Sequence, residues 1–169
     1  MLKRKEVRPM TEKVLSAGAQ KIQDTLLAKG FQCRVMELEK STRSAAEAAQ
    51  AVGCHIAQIV KSLVFRGKTT QKAYLVVVSG ANRVNEKKLS ETVGETVKMA
   101  DADFVRKTTG FVIGGVPPMG HTMLLETLID TDLLKHEKIW AAAGTPNALF
   151  CLTSEELAAM TGGRVVSIT

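Results

Sequence analysis

The chain has 169 residues, with 23 Lys and Arg against 17 Asp and Glu (net charge +6 with the histidines neutral), and 45% of it is apolar. That length and composition suit one globular domain with its own core, and the longest apolar runs, such as Tyr74 to Val78, are too short to span a bilayer. Three widely spaced cysteines, Cys33, Cys54 and Cys151, give neither a disulfide framework nor C-x-x-C metal spacing, and they fit reduced thiols in the cytoplasm.

Residues 1–10 read as a loose basic tail, without the apolar segment of a secretory signal, ahead of a single domain over 11–169. Apolar residues at i, i+3 and i+4 predict an amphipathic helix from Thr11 to Lys29, with Gly30 closing it. Alternation at Phe31, Cys33 and Val35 predicts a strand. Ser44-Ala45-Ala46-Glu47 is a capping box opening an alanine-rich helix that Gly53 ends. A helical turn over His55 to Val60 leads into a strand over Ser62 to Phe65. Gly67 to Thr70 is a hairpin turn before Tyr74 to Val78, whose unbroken apolar run predicts a central strand buried on both faces.

Asn85 caps a predicted helix over Glu86 to Val93. A strand over Val97 to Met99 and a helix over Asp103 to Lys107 follow. Beyond a Gly/Pro segment at 114–121, Met123 to Ile129 reads as a strand. Lys138 to Ala143 and Leu149 to Leu152 form a strand pair joined by the turn Gly144-Thr145-Pro146-Asn147. Thr153-Ser154-Glu155-Glu156 is a second capping box, opening a helix to Met160, and Arg164 to Ile168 reads as a last strand. The pattern is that of an α+β single domain: a mixed, barrel-like β-sheet surrounded by short helices.

The basic excess fits a polyphosphate partner such as nucleic acid, although a surface of general purpose gives the same balance. One Trp, one Tyr and five Phe are too few for a platform that stacks several bases. A nucleic acid would be held by its backbone or by one terminal nucleotide. No H-E-x-x-H, P-loop, G-x-G-x-x-G or G-x-S-x-G is present, so neither a metal nor a covalent enzyme is signalled.

The chemistry-bearing candidates are one lysine and three sharp loops. Lys61 interrupts the apolar run Ile59-Val60-Lys61-Ser62-Leu63-Val64-Phe65, where it either snorkels to solvent or aims an ammonium at a phosphate or a polarised carbonyl. Ser62 offers a hydroxyl beside it. The loops are Ser79-Gly80-Ala81-Asn82, Gly114-Gly115-Val116-Pro117-Pro118-Met119-Gly120-His121 and Gly144-Thr145-Pro146-Asn147. The glycines permit close backbone approach, and prolines 117 and 118 stiffen the second loop.

Taken in order, Ile59 to Phe65, the strand ending at Ser79-Gly80, Thr109 to His121, and Ala143-Gly144-Thr145-Pro146 resemble the YbaK/prolyl-tRNA editing family. Its members are free-standing relatives of the editing domain of bacterial prolyl-tRNA synthetases. The resemblance runs from about Ser41 to the C-terminus. It implies a barrel-like mixed sheet and hydrolysis of the ester of mischarged tRNA, typically alanine or cysteine on tRNA(Pro). It also implies no metal or organic cofactor, and tRNA as partner, with an aminoacyl-tRNA synthetase as a further one.

Under that resemblance Lys61 is the motif lysine, and Gly114 and Gly115 supply amides for the oxyanion. Ser62, Ser79, Gly80, Val116, Pro117, Gly144, Thr145 and Pro146 are expected to hold the aminoacyl group. The general base is open: His121 is the local candidate for proton transfer, yet it serves equally as a brace for its loop. Substrate-assisted attack, through the ribose 2′-hydroxyl or a substrate thiol, is the alternative the resemblance suggests. A non-catalytic module that binds an aminoacyl-tRNA end or a synthetase is the competing function.

Overall fold

Residues 14–42 and 44–169 are described by a computed structural model; the expected basic tail lies outside them. Helix α1 (Ala17–Ala28) turns Ala19, Ile22 and Leu26 inward, fully buried. Each large aliphatic side chain so buried contributes about 1.5–3 kcal/mol. Strand β1 (Val35–Glu37) is shorter than its alternation suggests. In α2 (Ala45–Val52) the Ser44 side chain accepts from the Glu47 amide, and Gly53 ends the helix in the left-handed region.

A 3₁₀ turn at Ile56–Gln58 feeds β2 (Val60–Gly67), which pairs antiparallel with β3 (Ala73–Ser79). Every residue of β3 is buried, as its apolar run requires. Then come α3 (Glu86–Val93), capped by Asn85, β4 (Val97–Met99), and α4 (Ala102–Thr109), capped by Asp101. Strand β5 (Glu126–Asp130) starts later than Met123, because Met123 and Leu124 are exposed and pair with nothing in the sheet. A 3₁₀ turn at Thr131–Lys135, which the apolar pattern does not announce, precedes β6 (Lys138–Ala142) and β7 (Ala148–Thr153). Helix α5 (Ser154–Thr161) starts on the expected capping box, made by Thr153 and Glu156, and β8 (Arg164–Val166) closes the described chain.

The strands form two sheets, one of five in the order β4-β2-β3-β5-β8 and one of three in the order β1-β7-β6. The larger is mixed: β2 pairs antiparallel with β3 and β4, while β5 runs parallel to β3 and to β8. The expected α+β domain is present, but its sheet does not close into a barrel. At the seam where β2 would continue into β6, among the described residues only the bridge Ile59–Trp140 joins the sheets. Closure needs continuous pairing around the ring, and here the seam widens into a cavity instead. Among the described residues no helix is long and apolar enough to cross a membrane.

Candidate functional site

The loop at 114–121 is built as a brace with one open edge. Gly114 is exposed, with φ of +91°, and its amide has no partner among the described residues. Gly115 through Met119 are buried. The Gly115 amide donates to the Val112 carbonyl at 3.0 Å, and the Gly144 amide donates to the Gly115 carbonyl at 3.0 Å. These two amides are therefore occupied; of the expected donors Gly114 and Thr145 keep amides with no partner among the described residues, and the Val116 amide, not expected in that role, is open as well. A Cβ at Gly115 would sit 2.9 Å from the Thr145 backbone, so this glycine is what lets the two loops touch.

Behind them lies α1: Ile22 packs in one core cluster with Phe111, Val116 and Met119. The third side is Thr42, whose amide and hydroxyl both donate to the Pro146 carbonyl at 2.9 and 3.0 Å. His121 faces its own loop, its Nε2 donating to the Pro117 carbonyl at 2.7 Å. Burial pushes its pKa down, partly opposed by that hydrogen bond. The ring does not line the cavity. Its bracing role is the one the geometry displays, and the expectation of a catalytic base at this position has no geometric support.

Between this brace and β2 is a cavity of about 340 Å³. Of the expected site residues it brings together Lys61, Ser62, Gly114 and Val116. Gly115, Pro117, Gly144, Thr145 and Pro146 form the wall behind the lining instead. Ser79 and Gly80 shape the turn after β3: Ser79 Oγ donates to the Ala57 carbonyl at 2.7 Å, and the Gly80 amide to that of Ile59 at 2.6 Å. Much of the lining is aliphatic, from Ala45, Ala48, Ile59, Val64 and Leu149 among others. Among the described residues no histidine, cysteine or carboxylate lines the cavity, and no group of three metal-ligating side chains is present.

Lys61 and Ser62 are not side by side as the sequence suggests. Successive strand residues point to opposite faces. Lys61 pairs with Val78, on the face of the cluster around Phe65 and Val76, and Ser62 pairs with Val77, on the face of the cluster around Val64 and Leu75. The Lys61 ammonium is half-buried and donates to the Asn82 carbonyl. Burial, and then the neighbouring Arg83 charge, lower its pKa. The Ser62 hydroxyl oxygen is buried without a hydrogen-bond partner among the described residues. Thr42, Met99 and Ile113 also line the cavity. Ile113 stands inside the motif segment 109–121 without being singled out, and the local sequence of Thr42 and Met99 carries no signal, since they reach the cavity through contacts distant in the chain. Ser44 reads locally as a helix cap and serves the cavity as well.

The model of the aminoacyl-tRNA editing domain matches residues 39–160, a span that contains every residue lining the cavity. The chain belongs to the aminoacyl-tRNA editing family. Editing breaks the ester between amino acid and terminal ribose, so the chain is a hydrolase of aminoacyl-tRNA. It is similar to the solved structure of "a putative trans-editing enzyme for prolyl tRNA synthetase", with a TM-score of 0.88 and 48% identity over 92% of this chain and 99% of that one. It is 33% identical over 131 residues to YwhH of Bacillus subtilis (strain 168), covering 78% of this chain and 83% of YwhH. It is 28% identical over 127 residues to the "Putative Cys-tRNA(Pro)/Cys-tRNA(Cys) deacylase EbsC" of Enterococcus faecalis (strain ATCC 700802 / V583), covering 75% and 77% of the two.

Proposed function

We propose that this chain is a trans-editing deacylase that acts in the cytoplasm on tRNA(Pro) carrying a small amino acid such as alanine or cysteine. The observation that carries the reading is the cavity itself. It lies inside the family span, its lining is mostly apolar, and the open amides of Gly114 and Val116 stand at one wall with Lys61 at the β2 side. The names of the relatives support the choice of prolyl-tRNA as substrate class. A synthetase that delivers the mischarged tRNA is the natural further partner.

The chemistry follows from what the cavity contains. An aminoacyl ester is already activated, so the demands are orientation and stabilisation of the developing oxyanion. Water adds to the ester carbonyl, the bond to the ribose oxygen breaks, and that oxygen takes up a proton. In this reading the Gly114 and Val116 amides face the oxyanion. The Lys61 ammonium, held at Asn82 beside the mouth, meets the phosphate side of the terminal nucleotide. Among the described residues no imidazole or carboxylate lines the cavity to serve as base, so the vicinal ribose hydroxyl orders the attacking water; with cysteine, the substrate thiol can instead attack its own ester, the ribose oxygen leaving with the thiol proton. The amino-acid side chain rests among Ala45, Ala48, Ile59 and Leu149. Apolar fit discriminates by only about 1–3 kcal/mol per methylene, which leaves tRNA identity to supply the rest.

The test is deacylation of a panel of mischarged tRNAs, following release of labelled amino acid. Hydrolysis of alanyl- or cysteinyl-tRNA(Pro) well above the buffer rate is expected, with prolyl-tRNA(Pro) spared. No hydrolysis of any member would overturn the reading in favour of a binding module. Lys61→Ala is expected to lower kcat/KM by about 100-fold or more while the protein stays folded. Undiminished activity in that folded variant would remove Lys61 from the mechanism.

A further inference from the structure

Lys61, which lines the cavity, has a second cation near it, and among the described residues neither takes part in an ion pair. Lys61 donates to the carbonyl of Asn82, and Arg83 is the next residue along the chain. The described ion pairs join Lys72 and Arg164 to Glu126, and Lys135 to Asp132; neither Lys61 nor Arg83 takes part in any. The acidic side chain bonded to Asn82 is Asp132, and both its oxygens are engaged: Oδ2 accepts from the Asn82 side-chain amide at 2.7 Å, and Oδ1 from Lys135 at 2.7 Å. Like charges placed this close disfavour each other, and burial of the lysine sharpens the cost.

The base on which these cations stand is rigid. The Asn82 amide donates to the Ser79 carbonyl at 3.0 Å, its side chain is pinned by Asp132, and the Asn85 amide donates to the Ile168 carbonyl at 2.7 Å. The backbone of Arg83 is thus fixed on both sides while its side chain is exposed. A planar guanidinium on a fixed stem next to a half-buried ammonium is a donor set matched to a phosphodiester: the fork takes two oxygens, and the ammonium acts as a point charge.

We propose that Arg83 is a substrate-binding residue that, with Lys61, clamps the phosphodiester on the 5′ side of the terminal nucleotide and so sets the reach of the ester into the cavity. The inference rests on the deacylase reading above. It assigns Arg83 a role that no local motif announces, and it gives the Lys61–Asn82 contact a purpose: the carbonyl holds the ammonium at the rim until a phosphate oxygen replaces it.

The experiment compares two substrates, a 3′-O-aminoacyl-adenosine with and without a 5′-phosphomonoester, on the wild-type protein and on Arg83→Ala and Arg83→Lys. On the wild type, the phosphate is expected to raise kcat/KM. In Arg83→Ala the ratio between the two substrates should fall about tenfold, mainly through KM, as loss of one charge-assisted pair predicts. Arg83→Lys should recover part of it. With aminoacyl-tRNA, the slope of log KM against log salt should shrink by about one phosphate contact. Circular dichroism and thermal melting confirm that the exposed substitution leaves the fold intact. An unchanged ratio in a folded, active Arg83→Ala variant overturns the clamp. Absence of hydrolysis by the wild type on every substrate overturns the deacylase reading instead, so the two failures are distinct.

Discussion

Gly115 is the position at which a single methyl group tests the architecture of the site. A Cβ there would lie 2.9 Å from both Cα and C of Thr145 and 3.0 Å from its N. These are backbone atoms of a loop that is itself hydrogen-bonded to Gly115, so no side chain can swing aside. Overpacking of this kind costs about 1–3 kcal/mol, and parting the loops also stretches the Gly144-to-Gly115 hydrogen bond, worth about 1 kcal/mol net. Gly115→Ala is therefore expected to destabilise by about 2–4 kcal/mol, and each kcal/mol lowers Tm by about 2–4 °C in a chain of this size. Urea titration and thermal melting give the stability term. Deacylation below the melting range gives the functional one, which should fall because the Gly114 and Val116 amides ride on the displaced segment. Gly114→Ala is the control: nothing lies within 4 Å of its added Cβ, and only the φ of +91° resists it, at about 1–2 kcal/mol. A Gly115→Ala variant with unchanged Tm and unchanged kcat/KM would refute the claim that this close contact builds the site.

His121→Gln should retain deacylation within about threefold if the ring only braces Pro117, since general-base catalysis is worth about 100-fold or more. With its folded pKa pushed below the ordinary 6.5 by burial, neutral His121 contributes stability that is complete above that value and is lost as pH falls below it. The wild type should lose Tm between about pH 7 and pH 5 more steeply than the variant. Glu95 accepts from the Thr69 and Thr70 amides, the Thr70 hydroxyl and the Tyr74 phenol, which hold its pKa near about 2 against an ordinary 4.5. Its contribution is present above the ordinary value and lost as pH falls from 4.5 towards about 2, and Glu95→Gln should flatten that part of the Tm–pH curve. Ser62→Ala removes a buried hydroxyl that has no described partner, so it should raise stability by up to about 1–3 kcal/mol; a fall in urea midpoint would show that Ser62 has a partner in solution.

Much of the frame was legible because its signals are local. Ser44, Asn85 and Thr153 each cap the helix that follows them, and the apolar run at 74–78 is buried throughout. The alternation at residues 31–35 was misleading in extent, since only Val35 enters β1. Its partner β7 comes late in the chain, and pairing decides a short strand more than its own pattern does.

The site was legible in a different degree on each of its sides. The Gly/Pro loop announced itself by composition. What it touches did not: the Thr42–Pro146 contact joins residues 104 apart in sequence, and no pattern within either segment predicts it. Strand β2 shows the limit most clearly. A period of two already requires Lys61 and Ser62 to point apart, yet which face meets a ligand depends on where β6 and β7 come to lie. Because the sheets meet there at the Ile59–Trp140 bridge, the Ser62 face opens onto the cavity and the Lys61 side chain emerges beside Asn82 and Arg83. In the proposed reading one strand serves two functions from its two faces, an apolar seat for the amino acid and a cationic rim for the phosphate. This division follows from the incomplete closure of the sheet: a sealed barrel would bury the seam and leave the lysine with no cavity to border.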